Sequence, residues 1–146
     1  MIYLDSSALV KRYAEEAGTD FVKSILSTDR LITTSKLTYP EILSALMRKV
    51  RAGEIQRKRF DDIVARFEKD WNHVLVLEFH NDLLQIVKFL IEKHPIKAAD
   101  AIHLSSALWL KLSSKIDVTF VASDLNLLKA AQAEKLQIIN PLNEAK

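Results

Sequence analysis

The chain contains no cysteine. Disulfides, thiolate metal sites and cysteine nucleophiles are excluded together, which fits a reducing compartment. Glycine is nearly as scarce, with Gly18 and Gly53 the only two in 146 residues. Neither a G-x-G-x-x-G nor a G-x-x-x-x-G-K-[ST] loop can be assembled from them, so the usual phosphate cradles of dinucleotide and P-loop nucleotide binding are lacking. Long apolar runs are missing as well. The longest without a charged residue, residues 101–110, falls far short of the ~20 that span a bilayer, and Asp5 arrives too early for an export signal. The expectation is a soluble, cytoplasmic protein with no membrane association. Charge of one sign is also scarce. A net charge of +2 is too balanced to announce a nucleic-acid partner by itself.

What the chain does have is apolar residues, 49% of the total. At ~100–200 residues per domain, residues 1–146 are expected to form one domain with a sizeable core. Ile2-Tyr3-Leu4 reads as a strand, followed by a helix carrying Leu9, Val10 and Tyr13 up to Gly18. Thr19 is read as the N-cap of a second helix with Phe21, Val22, Ile25 and Leu26 inward. A β-branched strand lies at residues 31–34. Thr38 and Glu41 have the spacing of a capping box, and Pro40 falls in the first turn of the helix they open. Gly53 ends that helix, and a charged one follows over residues 54–71. Further elements are a weak strand at 74–79, a helix at 81–94 with Leu83, Leu84, Val87, Leu90 and Ile91 inward, and another at 98–112. A buried strand at 118–122, a helix at 125–133 and a last strand at 137–140 close the chain, leaving a loose tail from residue 143. Strands that alternate with helices and read as continuous apolar runs indicate an α/β fold. It is expected to have three layers around a mainly parallel, five-stranded sheet.

Ligands of open parallel sheets bind beyond the carboxyl ends of the strands. Four acids are placed there by the element order. Asp5 ends the first strand and Asp124 follows the 118–122 strand after one serine, while Glu41 and Asp100 each sit in the first turn of a helix. Each has an ordinary explanation: Glu41 as the capping-box partner of Thr38, Asp100 as a complement to the helix dipole, Asp5 as a turn residue, Asp124 as a cap. Asp100, however, heads the apolar row of Leu104, Ala107 and Leu108, an expensive place for an unpartnered charge. Four carboxylates gathered at one sheet edge cannot all stay ionised near neutral pH without a cation, and hard oxygen ligands suit Mg²⁺ or Mn²⁺.

Other residues say less. The four histidines form no zinc-binding pair on one helix. His103 could face the acids but is preferred as a hydrogen-bonded structural residue, and Trp71 and Trp109 as core. Between Arg48 and Arg59 the chain carries six basic residues against Glu54 alone, read chiefly as a solvated face and alternatively as a polyanion-facing patch.

On four motifs in order, the chain resembles the PIN domain family, and within it the VapC-type toxins of toxin-antitoxin pairs. The motifs are Met-Ile-Tyr-Leu-Asp5-Ser-Ser7-Ala-Leu-Val, Pro40-Glu41, Ala99-Asp100-Ala-Ile-His103-Leu and Ser123-Asp124-Leu-Asn126-Leu-Leu. The resemblance implies an Mg²⁺- or Mn²⁺-dependent endoribonuclease, with Asp5, Glu41, Asp100 and Asp124 as its acidic cluster around one or two ions. It further implies that Ser7 and Asn126 help position substrate or water, and that products carry a 5′-phosphate and a 3′-hydroxyl. Lys11, Arg12 and Lys97, next to the predicted edge, are candidates for RNA phosphate contacts. A homodimer and a small antitoxin covering the acids are the implied partners. One departure is Ala122, where relatives often carry a hydroxyl; here the hydroxyl moves to Ser123. The alternative is a PIN-like module that binds RNA or protein without cutting. A metal phosphohydrolase or receiver domain fits less well, because Ser6 and Ser7 follow Asp5 and leave no Asp-x-Asp.

Overall fold

Period-2 alternation on the first strand decides which side of the sheet each residue serves. The computed structural model describes residues 1–144, and in it β1 (Ile2–Leu4) is buried throughout. Ile2 and Leu4 point into one core with Leu9, Ile42, Leu46, Ile63 and Phe67. Tyr3 points into the opposite core with Leu90, Leu104, Ala107, Phe120 and Leu127. Two cores on opposite faces of one sheet make a three-layer α/β/α arrangement, as expected.

The elements follow in the order β1, α1 (Ser6–Leu9), a 3₁₀ turn (Val10–Arg12), α2 (Thr19–Leu26), β2 (Ile32–Ser35), α3 (Thr38–Arg51), α4 (Arg57–Trp71), β3 (Leu75–Leu77), α5 (Asp82–Lys93), α6 (Ala98–Ser114), β4 (Thr119–Val121), α7 (Leu125–Ala133) and β5 (Gln137–Ile139). The sheet is five-stranded in the order β3-β2-β1-β4-β5, and every pairing is parallel. Tyr3 lies opposite both Thr33 and Phe120, so β1 is the central strand. The central strands are covered on both faces, whereas the edge strands β3 and β5 are only partly buried. No helix among the described residues is long and apolar enough to cross a membrane.

Several local expectations are overturned. The helix expected to reach Gly18 stops at Arg12, because the Thr19 hydroxyl donates to the Ala14 carbonyl and accepts from the Glu16 N–H, folding that segment into a turn. Thr19 is therefore no N-cap; that position falls to Gly18 at φ 90°, in the left-handed region that favours glycine. The capping box at Thr38 and Glu41 does not form. Thr38 is already inside α3, its buried hydroxyl pairs with that of Thr34 at 2.7 Å, and Glu41 is bonded elsewhere. On α5, Leu83 and Leu90 are buried, but Leu84 and Ile91 face solvent because α6 covers only one side of the helix. Of the tail expected to be loose, Asn143 folds back to donate to the Asn140 carbonyl, and residues 145 and 146 lie outside the described residues.

Candidate acidic site at the sheet edge

The carboxyl ends of β1 and β4 lie side by side, and the Asp5 N–H donates to the Val121 carbonyl across them. Asp5 is 2% exposed, an exceptional degree of burial for a carboxylate. Its Oδ1 caps α1 by accepting from the Ala8 N–H at 2.9 Å. The Ser7 hydroxyl, 2.7 Å from Oδ1 and 2.9 Å from Oδ2, supplies a second donor. The same Ser7 oxygen accepts from the Ser123 N–H at 3.0 Å, which ties the end of β1 to the turn after β4. Burial is the main cause that lifts the Asp5 carboxyl from 3.8 to about 6. His103 and the bonds from Ser7 and Ala8 pull it down, and the charge of Asp100 pushes it up.

Asp100 occupies the first turn of α6 and is half-buried. Burial again leads in raising its pKa, reinforced by Asp124 and Glu41 and opposed by His103 and Lys97. Asp124 caps α7, its Oδ1 accepting from the Leu127 N–H at 2.8 Å. Glu41, in the first turn of α3, has its Oε1 2.6 Å from His103 Nε2. The charge of Asp100 thus reaches Asp5, and those of Asp124 and Glu41 reach Asp100. Among the described residues, no three His, Asp or Glu side chains converge closely enough to form a ready-made metal cage.

An open groove of about 780 Å³ runs from this edge along α3. Ser7, Glu41 and Ser123 line its acidic end, and Lys11, Arg48 and Lys49 its basic flank. Glu16 bonds both lysines, at 3.1 Å to Lys11 and 3.3 Å to Lys49, and Glu54 also holds Lys49. Arg48 is exposed and has no ion pair among the described residues. Lys97 lies close enough to Asp100 to lower its pKa. Arg12 instead pairs with Asp70 at 3.6 Å in a small pocket that shares no residue with the groove. Asn126 is exposed on the first turn of α7. Ala122 is fully buried, and the buried Ser123 hydroxyl has no hydrogen-bond partner among the described residues.

Sequence reasoning missed two parts of this arrangement. Tyr3 had only the signal of a polar-tipped aromatic in an apolar strand, yet its hydroxyl lies 2.9 Å from His103 Nδ1. Arg48 stood at the head of the basic run, but nothing in that run marked it as the member that lines the groove with no ion pair among the described residues.

Comparison with known proteins agrees with this fold. The chain is 29% identical over 108 residues to Ribonuclease VapC45 of Mycobacterium tuberculosis, covering 74% of this chain and 75% of that one. The solved VapC20 of Mycobacterium tuberculosis, described as a sarcin-ricin loop cleaving toxin, shares the fold with a TM-score of 0.65 at 18% identity, over 93% of this chain and 96% of that one. A toxin-antitoxin complex from Klebsiella pneumoniae does so with a TM-score of 0.60 at 12% identity, over 97% and 98%. The PIN domain family model matches residues 2–133, a span that includes all four acids and the whole of β1 to α7. An all-parallel five-stranded sheet, acids at its carboxyl edge and a family match over nearly the full chain lead to one assignment: this protein belongs to the PIN domain family.

Proposed function

We propose that the protein is a divalent-metal-dependent endoribonuclease, the toxin of a toxin-antitoxin pair, acting through Asp5, Glu41, Asp100 and Asp124. The observation that carries this reading is a carboxylate buried at the end of the central strand of a PIN domain, within electrostatic reach of Asp100, which in turn feels Asp124 and Glu41. The names of the relatives support ribonuclease activity and an antitoxin partner.

The donor set suits Mg²⁺ or Mn²⁺. It is all oxygen, and burial and mutual repulsion already penalise the ionised forms of Asp5 and Asp100. The unpartnered Ser123 hydroxyl at the groove is a further oxygen available there. A bound divalent ion supplies Lewis-acid polarisation of a phosphodiester oxygen and acidification of a water. The chain's own residues do the rest. Ser7 and the Ala8 N–H fix the Asp5 carboxylate, and the α7 cap fixes one oxygen of Asp124. Arg48, on the groove, and Lys97, near Asp100, hold RNA phosphates, whereas Arg12, held by Asp70, is not assigned that role. Asn126, exposed beside Asp124, retains a part in positioning substrate or water. The groove along α3 accommodates either an RNA strand or an antitoxin segment, and the protein works as a homodimer.

The test is cleavage of purified tRNA and rRNA with Mn²⁺ or Mg²⁺ against EDTA, with Asp100→Asn in parallel. Cutting at defined sites that is lost in EDTA and in the variant supports the reading. Cutting that survives EDTA, or equal cutting by Asp100→Asn, refutes it.

A further inference from the structure

Glu41 does not stand alone at the edge of the groove. Its Oε1 lies 2.6 Å from Nε2 of His103, which is 1% exposed, and Nδ1 of the same ring lies 2.9 Å from the hydroxyl of Tyr3, which is fully buried. Tyr3 is itself immobilised, stacked on Phe120 with ring centroids 5.4 Å apart and planes 6° from parallel, while His103 meets its edge at 6.0 Å. The chain of contacts begins on β1, passes through α6 and ends on α3. Among the described residues, Oε2 of Glu41 has no hydrogen-bond partner, and Glu41 lines the groove.

We propose that His103, seated on Tyr3, is a positioning residue for Glu41: its Nε2–H holds Oε1 and leaves Oε2 as the single oxygen presented to the groove. The direction of the hydrogen bonds follows from the donors present. A phenol is protonated near neutral pH, and the hydroxyl of Tyr3, buried 2.9 Å from Nδ1, donates to it. In the neutral ring the remaining proton then sits on Nε2, 2.6 Å from Glu41 Oε1, which accepts it. A carboxylate gripped at one oxygen by a ring with no freedom to turn offers a single, directed oxygen to whatever binds there. Ligand carboxylates at metal sites are oriented by just such outer partners.

The ring geometry is independent of the ribonuclease reading, but its consequence for metal binding and cleavage rests on that reading, so the two are measured separately. The ¹⁵N shifts of the His103 ring in metal-free protein are read first. The proposal expects the Nε2–H tautomer, with Nδ1 unprotonated, and a changed Nε2 signal in Glu41→Gln. The Nδ1–H tautomer, or a ring signal indifferent to Glu41→Gln, overturns the proposal whatever the protein's activity. Mn²⁺ alone is then titrated by electron paramagnetic resonance into wild type, His103→Ala, His103→Gln and Tyr3→Phe, with thermal melts of each. His103→Ala is expected to weaken Mn²⁺ binding by about 10- to 100-fold. His103→Gln, whose amide N–H can still reach Glu41, is expected to recover most of that loss even if it melts as low as the alanine variant. Tyr3→Phe should fall between them. Folded His103→Ala protein with wild-type affinity for Mn²⁺ overturns the proposal and leaves His103 a core residue only. A wild type with the Nε2–H tautomer that neither binds Mn²⁺ nor cuts RNA refutes the ribonuclease reading instead.

Discussion

Replacing Asp5 by asparagine should stabilise the metal-free protein while removing a proposed metal ligand. The carboxyl group titrates at about 6 rather than 3.8, mainly because it is buried. That difference corresponds to about 3 kcal/mol. The native state holds the proton more tightly than the unfolded chain does, so the contribution of this group to stability is complete below about pH 3.8 and is lost as pH rises through about 6. At pH 7.5, in EDTA, the ionised carboxylate therefore strains the fold. Asparagine is nearly isosteric, carries no charge, and can still accept from the Ala8 N–H as an N-cap. Relief of about 1–3 kcal/mol is expected, at roughly 2–4 °C of melting temperature per kcal/mol in a chain of this size. The assay is thermal melting of both proteins in EDTA from pH 4 to 8. The variant should melt several degrees higher at pH 7.5, and the gap should close toward pH 4. Saturating Mg²⁺ should raise the melting temperature of the wild type and not that of the variant. A variant that melts at or below the wild type at pH 7.5, or a gap that ignores pH, would refute the reasoning.

Three more outcomes follow from contacts elsewhere. Ser7→Ala removes a hydrogen bond to an ionised group, worth about 1.5–3 kcal/mol, and should move the Asp5 transition to higher pH in the same melts. Phe67→Ala empties a site 1% exposed and ringed by Tyr13, Tyr39 and Trp71, and should cost about 3–5 kcal/mol in urea denaturation. At Glu134, burial raises the pKa, but bonds from Lys93 and His94 outweigh it and leave the carboxylate below its usual range, so its stabilisation is present above pH 4.5 and lost as pH falls through the lowered native value. Glu134→Gln should accordingly flatten the acid limb of the stability curve, and unchanged acid unfolding would count against that assignment.

The sheet was legible because β1 is an unbroken apolar run and β4 a β-branched and aromatic one, and their pairing carried Asp5 and Asp124 to one edge. The ordinary reading of Asp124 as a cap holds together with the site, and Asp5, read as a turn residue, proves to cap a helix as well; in each case the bond to the helix N–H restrains a carboxylate oxygen. What could not be read was anything fixed by side chains distant in sequence. The Thr38–Glu41 spacing matched a capping box, but Thr34 and His103 claimed both partners first. The bond from Tyr3 to His103 spans 100 residues, and no local pattern announces it. The first helix ended early for a similar reason, since the Thr19 hydroxyl bonds backbone that the apolar spacing had assigned to the helix. Arg12 looked equivalent to its neighbours until Asp70, from α4, was found beside it.

The central claim is that Asp5, Glu41, Asp100 and Asp124 hold a divalent ion, and the most direct measurement is an anomalous difference map from crystals soaked in Mn²⁺. The account predicts a peak within coordination distance of carboxylate oxygens of Asp5 and Asp100, with Glu41 and Asp124 facing it directly or through water, and loss of that peak in Asp100→Asn. A map with no peak at saturating Mn²⁺, or with its strongest peak away from these four residues, would contradict it.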